Sequence, residues 1–272
     1  MIVDGKTIAE DIYAGLAPRF SALNKQVKLG IVVVGENSVI ASFVKIKERS
    51  ALRLGIEMVR KDLPESASEA EIISAIHALN EKADAVIVQL PLPKGISTNN
   101  VLSAVPNNMD VDALNPDVSE EKRFVHAPVA LAAVEILERS QVEIKGARAV
   151  IVGAGRLVGA PSAWLLKKLG ANVSVFSLEE GSIDDLKDAD IIVSGAGTPG
   201  FIKPAHIKEG VALIDGGTSE LNKRIAGDAD PACAEKASVF TPVPGGVGPV
   251  AVAMIFRNLL NLLEHRSNVL TM

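Results

Sequence analysis

Arg148-Ala149-Val150-Ile151-Val152-Gly153-Ala154-Gly155-Arg156-Leu157-Val158-Gly159 runs from an aliphatic segment into a glycine-rich one. Its first five residues have the apolar, β-branched character of a strand buried on both faces, and an apolar helical pattern follows from Pro161 to Leu169. Between them lies a turn with glycines at 153, 155 and 159. A glycine-rich turn joining a strand to a helix is the setting of a pyrophosphate site, because glycines let the backbone approach the anion and helix-terminal N–H groups point at it. The spacing is not the commoner G-x-G-x-x-G, so the turn alone fits both a nucleotide site and a tight structural connection. Arg156 would add a cation there.

Downstream, Asn172 to Phe176 reads as the next strand, and no acid stands directly at its end to hold the ribose hydroxyls of NAD. Glu179 and Glu180 follow only after Ser177 and Leu178, which favours NADP. Aliphatic strands at Asp190 to Val193 and Val211 to Ile214, and a short one at Ser238 to Thr241, extend a parallel sheet. Upstream, a helix carrying Ile8, Ile12, Leu16 and Phe20 leads into a strand from Leu29 to Val34. A helix from Ser38 to Leu54, a short strand at Ile56 to Val59 and a loop at Asp62 to Pro64 come next. Ser66 with Glu69 fits a capping box for a helix with Ile72, Ile73, Ile76 and Leu79 on its buried face. A third strand, Asp84 to Gln89, stops at Leu90-Pro91-Leu92-Pro93. The polar stretch Asn107 to Arg123 carries no element and marks a boundary; a helix from Pro128 to about Glu138 follows, and a last one runs from about Val250 to His265. The class is α/β, with two αβ lobes, the second a Rossmann-type dinucleotide-binding domain.

The chain has 272 residues, 48% of them hydrophobic, enough for a substantial core, and a net charge of −5. With seven Phe, one Trp and one Tyr, it has few rings for stacking on bases, and its acidic balance gives no long-range attraction for a polyanion, so nucleic acid is not an expected partner. Cys233 is the single cysteine and cannot form an internal disulfide; with no basic leader and no run of 18 apolar residues, the reading is a cytoplasmic protein without a membrane segment. No metal site is expected, since His126 has no second plausible ligand near it, and His77, His206 and His265 read as surface or cap residues.

Other positions invite chemistry. Thr241-Pro242-Val243-Pro244-Gly245-Gly246-Val247-Gly248-Pro249 is too rigid and glycine-rich for an ordinary connector and can set backbone groups against a flat ligand. Asp215-Gly216-Gly217-Thr218 ends a parallel strand, where open sheets bind ligands. Gln89 places a polar side chain at the end of a Val/Ile strand. Asp110 and Asp112 suit either turn hydrogen bonds or a ligand amide. Lys45 and Lys47 lie two apart on a helix, hence on different faces, and helical lysines are ordinarily solvated.

Together these stretches resemble the bifunctional methylenetetrahydrofolate dehydrogenase/cyclohydrolase family. The segment Thr241 to Pro249 carries the resemblance most specifically, Val88-Gln89-Leu90-Pro91-Leu92-Pro93 matches the family's VQLPLP, and Asp110-Val111-Asp112 matches its DVDG with Ala113 in place of glycine. The resemblance implies a catalytic Lys47, a Gln89 that sets the lysine's state and an Asp112 that binds the pterin ring, with Phe43, Pro244 and Gly245 also touching folate in a cleft between the lobes. It implies NADP, with NAD possible, on Gly153, Ala154, Gly155, Arg156 and Thr218. The implied domains are residues 1–122 with 250–272, binding folate, and 123–249, binding the nucleotide. The implied activity is oxidation of 5,10-methylenetetrahydrofolate and hydrolysis of the product to 10-formyltetrahydrofolate, by a homodimer. Phe43 replaces the family's tyrosine, so a dehydrogenase with weak or lost hydrolysis is the second reading; a non-catalytic folate- and nucleotide-binding module is the third. Ala154 and Gly155 replace the Arg and Ser of the family's phosphate turn.

Overall fold

Ile12, Leu16 and Phe20 bury one face of α1 (Gly5–Ala22), as the helical spacing requires. A computed structural model describes residues 1–35, 38–176, 183–221 and 224–270. The chain divides into two compact units, residues 1–10 with 127–254 and residues 11–126 with 255–272, so that α1 and the final helix each run from one unit into the other. Residues 1–10 are drawn to the nucleotide-type unit by backbone pairing: Val3 N–H donates to Phe240 O at 2.8 Å and Gly5 N–H to Gly245 O at 3.0 Å.

The unit of residues 11–126 and 255–272 contains β1 (Lys28–Val34), α2 (Ser38–Arg53), β2 (Glu57–Leu63), α3 (Glu69–Asn80), β3 (Ala85–Val88) and α4 (Thr98–Ser103). Its three strands form a parallel sheet in the order β2-β1-β3. β2 is longer than its apolar pattern suggests and absorbs the expected loop as far as Leu63, because it is an edge strand in seven-residue register with β1 and can expose Arg60, Lys61 and Asp62. The capping box of α3 is Ser68 with Glu71, not Ser66 with Glu69. Glu69 instead accepts the backbone N–H of Ser97 and the side-chain amide of Asn100, tying α3 to α4, a helix the sequence pattern did not reveal. Between Asn107 and Arg123 the chain makes only a short 3-10 turn, Glu120–Lys122, and a bridge from Asp110 to Val86.

The other unit contains α5 (Pro128–Arg139), β4 (Arg148–Val152), α6 (Gly159–Lys168), β5 (Asn172–Phe176), β6 (Ile191–Ser194), β7 (Ala212–Asp215), the antiparallel pair β8 (Ser219–Leu221) and β9 (Arg224–Ala226), and β10 (Val239–Phe240). Its main sheet is parallel throughout, in the order β10-β7-β6-β4-β5. From β4 the sheet thus extends one way to β5 and the other way to β6, which creates a crevice at the carboxyl ends of β4 and β6. Glu179 and Glu180, weighed above as ribose partners, lie outside the described residues.

The final helix, α7 (Val247–Leu270), starts earlier and ends later than its apolar spacing predicts. Its segment from Val247 to Ser267 has a mean hydropathy of 1.3 and the length to cross a membrane, yet Met254, Phe256, Leu259 and Leu262 are buried in protein. It is a core helix.

Candidate active site

Lys47 sits on α2 one turn after Phe43, so the two share a face, whereas Lys45 points to solvent. Val44, three residues before Lys47 on the inward side of this helix, is fully buried, and Lys47 is half-buried. Gln89 directly follows β3; its backbone N–H continues the ladder onto Val32 O at 2.9 Å, which fixes where its side chain begins. That side chain donates to Leu90 O at 2.8 Å, leaving its oxygen to accept from Lys47 Nζ at 2.6 Å. The contact joins residues 42 apart in sequence.

Burial pushes the Lys47 ammonium below its ordinary range, and the Asp112 carboxylate pulls it partly back. Burial likewise pushes the Asp112 carboxyl up, with Lys47 opposing. Each group is therefore held away from full ionisation by its surroundings and toward it by the other. Gln89 adds a hydrogen-bond acceptor without adding charge. A lysine whose proton is loosened by burial can serve as an acid and, once neutral, as a base.

Asp110 has a different part. Its carboxylate accepts the backbone N–H groups of Leu114 and Asn115, both at 2.7 Å, and closes the loop that presents Asp112. Asn258 on α7 donates to Val111 O and to His126 O, both at 2.8 Å, from a side chain only 1% exposed. Arg123 donates to Asn115 O at 2.8 Å and extends the same brace. Sequence reasoning missed Asn258 and Arg123; an Asn set between Phe256 and Leu259 on the apolar face of α7 was the available signal.

The nucleotide-type unit holds the remaining predicted residues. Gly153 has φ 91° and opens the turn after β4, with Ala154, Gly155 and Arg156 exposed along it. A side chain on Gly159 would run into the carbonyl of Gly153, so the first turn of α6 can fold back on the loop only with glycine there. Thr218 is exposed in the loop after β7, and Gly216 of that loop packs beside Val158 of the glycine turn. Pro244, exposed and preceded by a cis peptide bond, and Gly245, at φ 109°, form the loop before α7. The structure thus gathers Lys47, Gln89 and Asp112 in one unit and the glycine turn with the Thr218 loop in the other. His126 faces Glu120 at 3.3 Å, and among the described residues no group of three His, Cys, Asp or Glu is placed to hold a metal ion.

Known proteins match both units. Residues 3–112 match the tetrahydrofolate dehydrogenase/cyclohydrolase catalytic domain, and residues 127–267 the NAD(P)-binding domain of the same family. The Bifunctional protein FolD of a Staphylococcus aureus strain is 35% identical over 98% of both chains. Among solved structures, the Campylobacter jejuni bifunctional enzyme FolD superposes with a TM-score of 0.91 at 29% identity, covering 98% of this chain and 99% of that one. The Trypanosoma brucei N5,N10-methylenetetrahydrofolate dehydrogenase-cyclohydrolase, solved with NADP cofactor and inhibitor, gives a TM-score of 0.92 at 30% identity over 98% of each chain. With a lysine, glutamine and aspartate clustered at the ends of one small parallel sheet, a glycine turn on a second, and matches of this extent to both halves, the chain belongs to the tetrahydrofolate dehydrogenase/cyclohydrolase family.

Proposed function

We propose that the chain oxidises 5,10-methylenetetrahydrofolate to the 5,10-methenyl cation with NADP+ and hydrolyses that cation to 10-formyltetrahydrofolate. The observation that carries the reading is the 2.6 Å contact of Lys47 Nζ with Gln89 Oε1, made by an ammonium that burial depresses. The glycine turn fits the dinucleotide, since Gly153 to Arg156 leave backbone exposed at the mouth of the sheet crevice and no side chain fills the turn at 153 or 155. When bound, NADP+ supplies the two-electron acceptor for the methylene carbon.

The protein's own task in the oxidation is alignment, because the folate nitrogens stabilise the cation that forms, and orientation of two reactants is worth several kcal/mol. Asp112 is proposed to hold the pterin ring through its polar edge, with Phe43 packing on the ring and Pro244 and Gly245 carried over by family membership as substrate contacts. In the hydrolysis, water adds to the methenyl carbon, and neutral Lys47 takes a proton from it. The same ammonium then returns a proton to the folate nitrogen that leaves as the carbon–nitrogen bond breaks, and the hydroxyl proton of the carbinol passes to water as the formyl C=O forms. Gln89 aims Nζ and, being uncharged, does not restore the lysine to its ordinary pKa.

Lys47→Met tests the assignment. Hydrolysis of added 5,10-methenyltetrahydrofolate is expected to fall by about 100-fold or more, the loss typical of a removed proton-transfer group. Wild-type hydrolysis in the variant would reject the role. A paired assay of the unmodified enzyme, following reduced cofactor and methenyl absorbance with NADP+ and with NAD+, tests the reaction itself. Reduced cofactor with a persistent methenyl signal would select the dehydrogenase-only reading that Phe43 favours.

We further propose a homodimer working in the cytoplasm. Support for the dimer comes from β5, which pairs on one side only with β4 and leaves Val175 50% exposed on that edge strand. Sedimentation equilibrium reads this directly, and a monomer would reject it. The cytoplasmic reading rests on the single, buried Cys233, whose thiol burial pushes up to about 11.

A further inference from the structure

The loop after β6 faces the glycine turn. An atom added at the Cβ position of Gly153 would lie 3.0 Å from Gly195 O and 3.1 Å from the Ala196 Cα, so the two loops are in van der Waals contact at the crevice between β4 and β6. What shapes the β6 loop is a carboxylate from elsewhere in the chain. Asp228 is 0% exposed, and its side chain accepts Ser194 Oγ at 2.6 Å, Ala196 N–H at 2.7 Å and Thr198 N–H at 2.8 Å. Three donors from five consecutive residues thus converge on one acceptor.

The loop after β7 is tied to the same group. Asp228 N–H donates to Asp215 Oδ1 at 3.1 Å, and Asp215 also accepts Gly217 N–H at 2.9 Å and Ala229 N–H at 2.8 Å. A Cβ on Gly217 would lie 2.6 Å from the Asp228 carboxylate, so that loop is pressed against it as well. A carboxylate is a pure acceptor with about four lone-pair sites, which is what a segment presenting several N–H groups inward requires. No lysine or arginine side chain bonds to it among the described residues; its donors are a hydroxyl and two backbone N–H groups.

We infer that Asp228 is a positioning residue for dinucleotide binding: it fixes the β6 loop, and through Asp215 the β7 loop, against the glycine turn. The inference rests on the proposed nucleotide site and adds to it a residue that touches no ligand. Asp228→Asn keeps the shape but turns an amide N–H toward at least one loop donor, so the loop must shift. In the full chain, NADP+ affinity read by fluorescence titration is expected to weaken by about tenfold, in keeping with the cost of displaced binding groups. The KM for 5,10-methylenetetrahydrofolate at saturating NADP+ is expected to change by less than about threefold, because Phe43, Lys47, Gln89 and Asp112 lie in the other unit and the loop donors held by the Asp228 side chain are Ser194, Ala196 and Thr198, not Pro244 or Gly245. Unchanged NADP+ affinity in a folded Asp228→Asn variant would overturn the inference. Should that variant not fold, Ser194→Ala removes a single donor and is expected to weaken NADP+ by about threefold; wild-type affinity there would overturn it equally. Failure of the unmodified enzyme to bind NADP+ would instead reject the proposed function.

Discussion

Ala113 occupies the left-handed region, at φ 56°, immediately after the aspartate proposed to bind the pterin. An L-residue there costs about 1–2 kcal/mol, while glycine adopts it freely at some cost in unfolded-state entropy. The DVDG segment that this stretch resembles has glycine at this position, and alanine bears the strain here. Ala113→Gly is expected to raise stability by about 0.5–1 kcal/mol, read as a higher urea midpoint at unchanged slope. An unchanged or lower midpoint would show that the loop does not hold the strain. Burial at the same loop explains why neighbouring acids divide their roles: Asp110 spends its oxygens on Leu114 and Asn115, and Asp112 faces Lys47.

At the scale of elements, α7 brings one polar side chain into an apolar face, and that side chain holds two carbonyls. Asn258→Leu would keep the volume and leave Val111 O and His126 O without this donor, costing about 2 kcal/mol or more. A thermal midpoint within a degree of the unmodified chain would reject the role of the amide. The helix itself was legible, since Met254, Ile255, Leu259 and Leu262 recur at its period, but Asn258 was not, because its acceptors lie 147 and 132 residues away. Asp228 escaped for the same reason, its partners being 30 to 34 residues upstream. Gln89 was legible as a polar side chain closing an aliphatic strand, whereas Lys47 was legible only through motif resemblance, since helical spacing alone made it a surface group. The α3 cap was misplaced because Ser66-x-x-Glu69 and Ser68-x-x-Glu71 overlap, and only the tertiary demand of α4 for Glu69 decides between them. Parallel strands were read well where both faces are apolar, and β2 poorly because its exposed edge tolerates charge.

For the molecule as a whole, one buried carboxyl in each unit sets a common pH dependence. Asp110 and Asp215 are both pushed up to about 6 by burial, against the hydrogen bonds from backbone N–H groups that oppose it. An unfolded aspartate titrates at about 3.9, so the folded state binds the proton more tightly. Stability from these groups is therefore complete below about pH 4 and is lost as pH rises through about 6. Thermal midpoints should decline across that window, and Asp215→Asn should make the decline shallower whatever it does to the absolute midpoint. An equal slope in the variant would exclude Asp215 as a source.

The division of the chain into residues 1–10 with 127–254 and residues 11–126 with 255–272 also orders events in time. On a ribosome the first sheet of three strands is complete early, yet Phe256, Leu259, Leu260 and Leu263, all buried in its unit, are made only after residue 254. Tyr13, whose ring lies 6.3 Å from that of Phe256, waits for its partner through the synthesis of the entire nucleotide-type unit. The unit of residues 11–126 is closed only by residues that follow the other unit, and its apolar face stays uncovered while 128 further residues, from 127 to 254, are added.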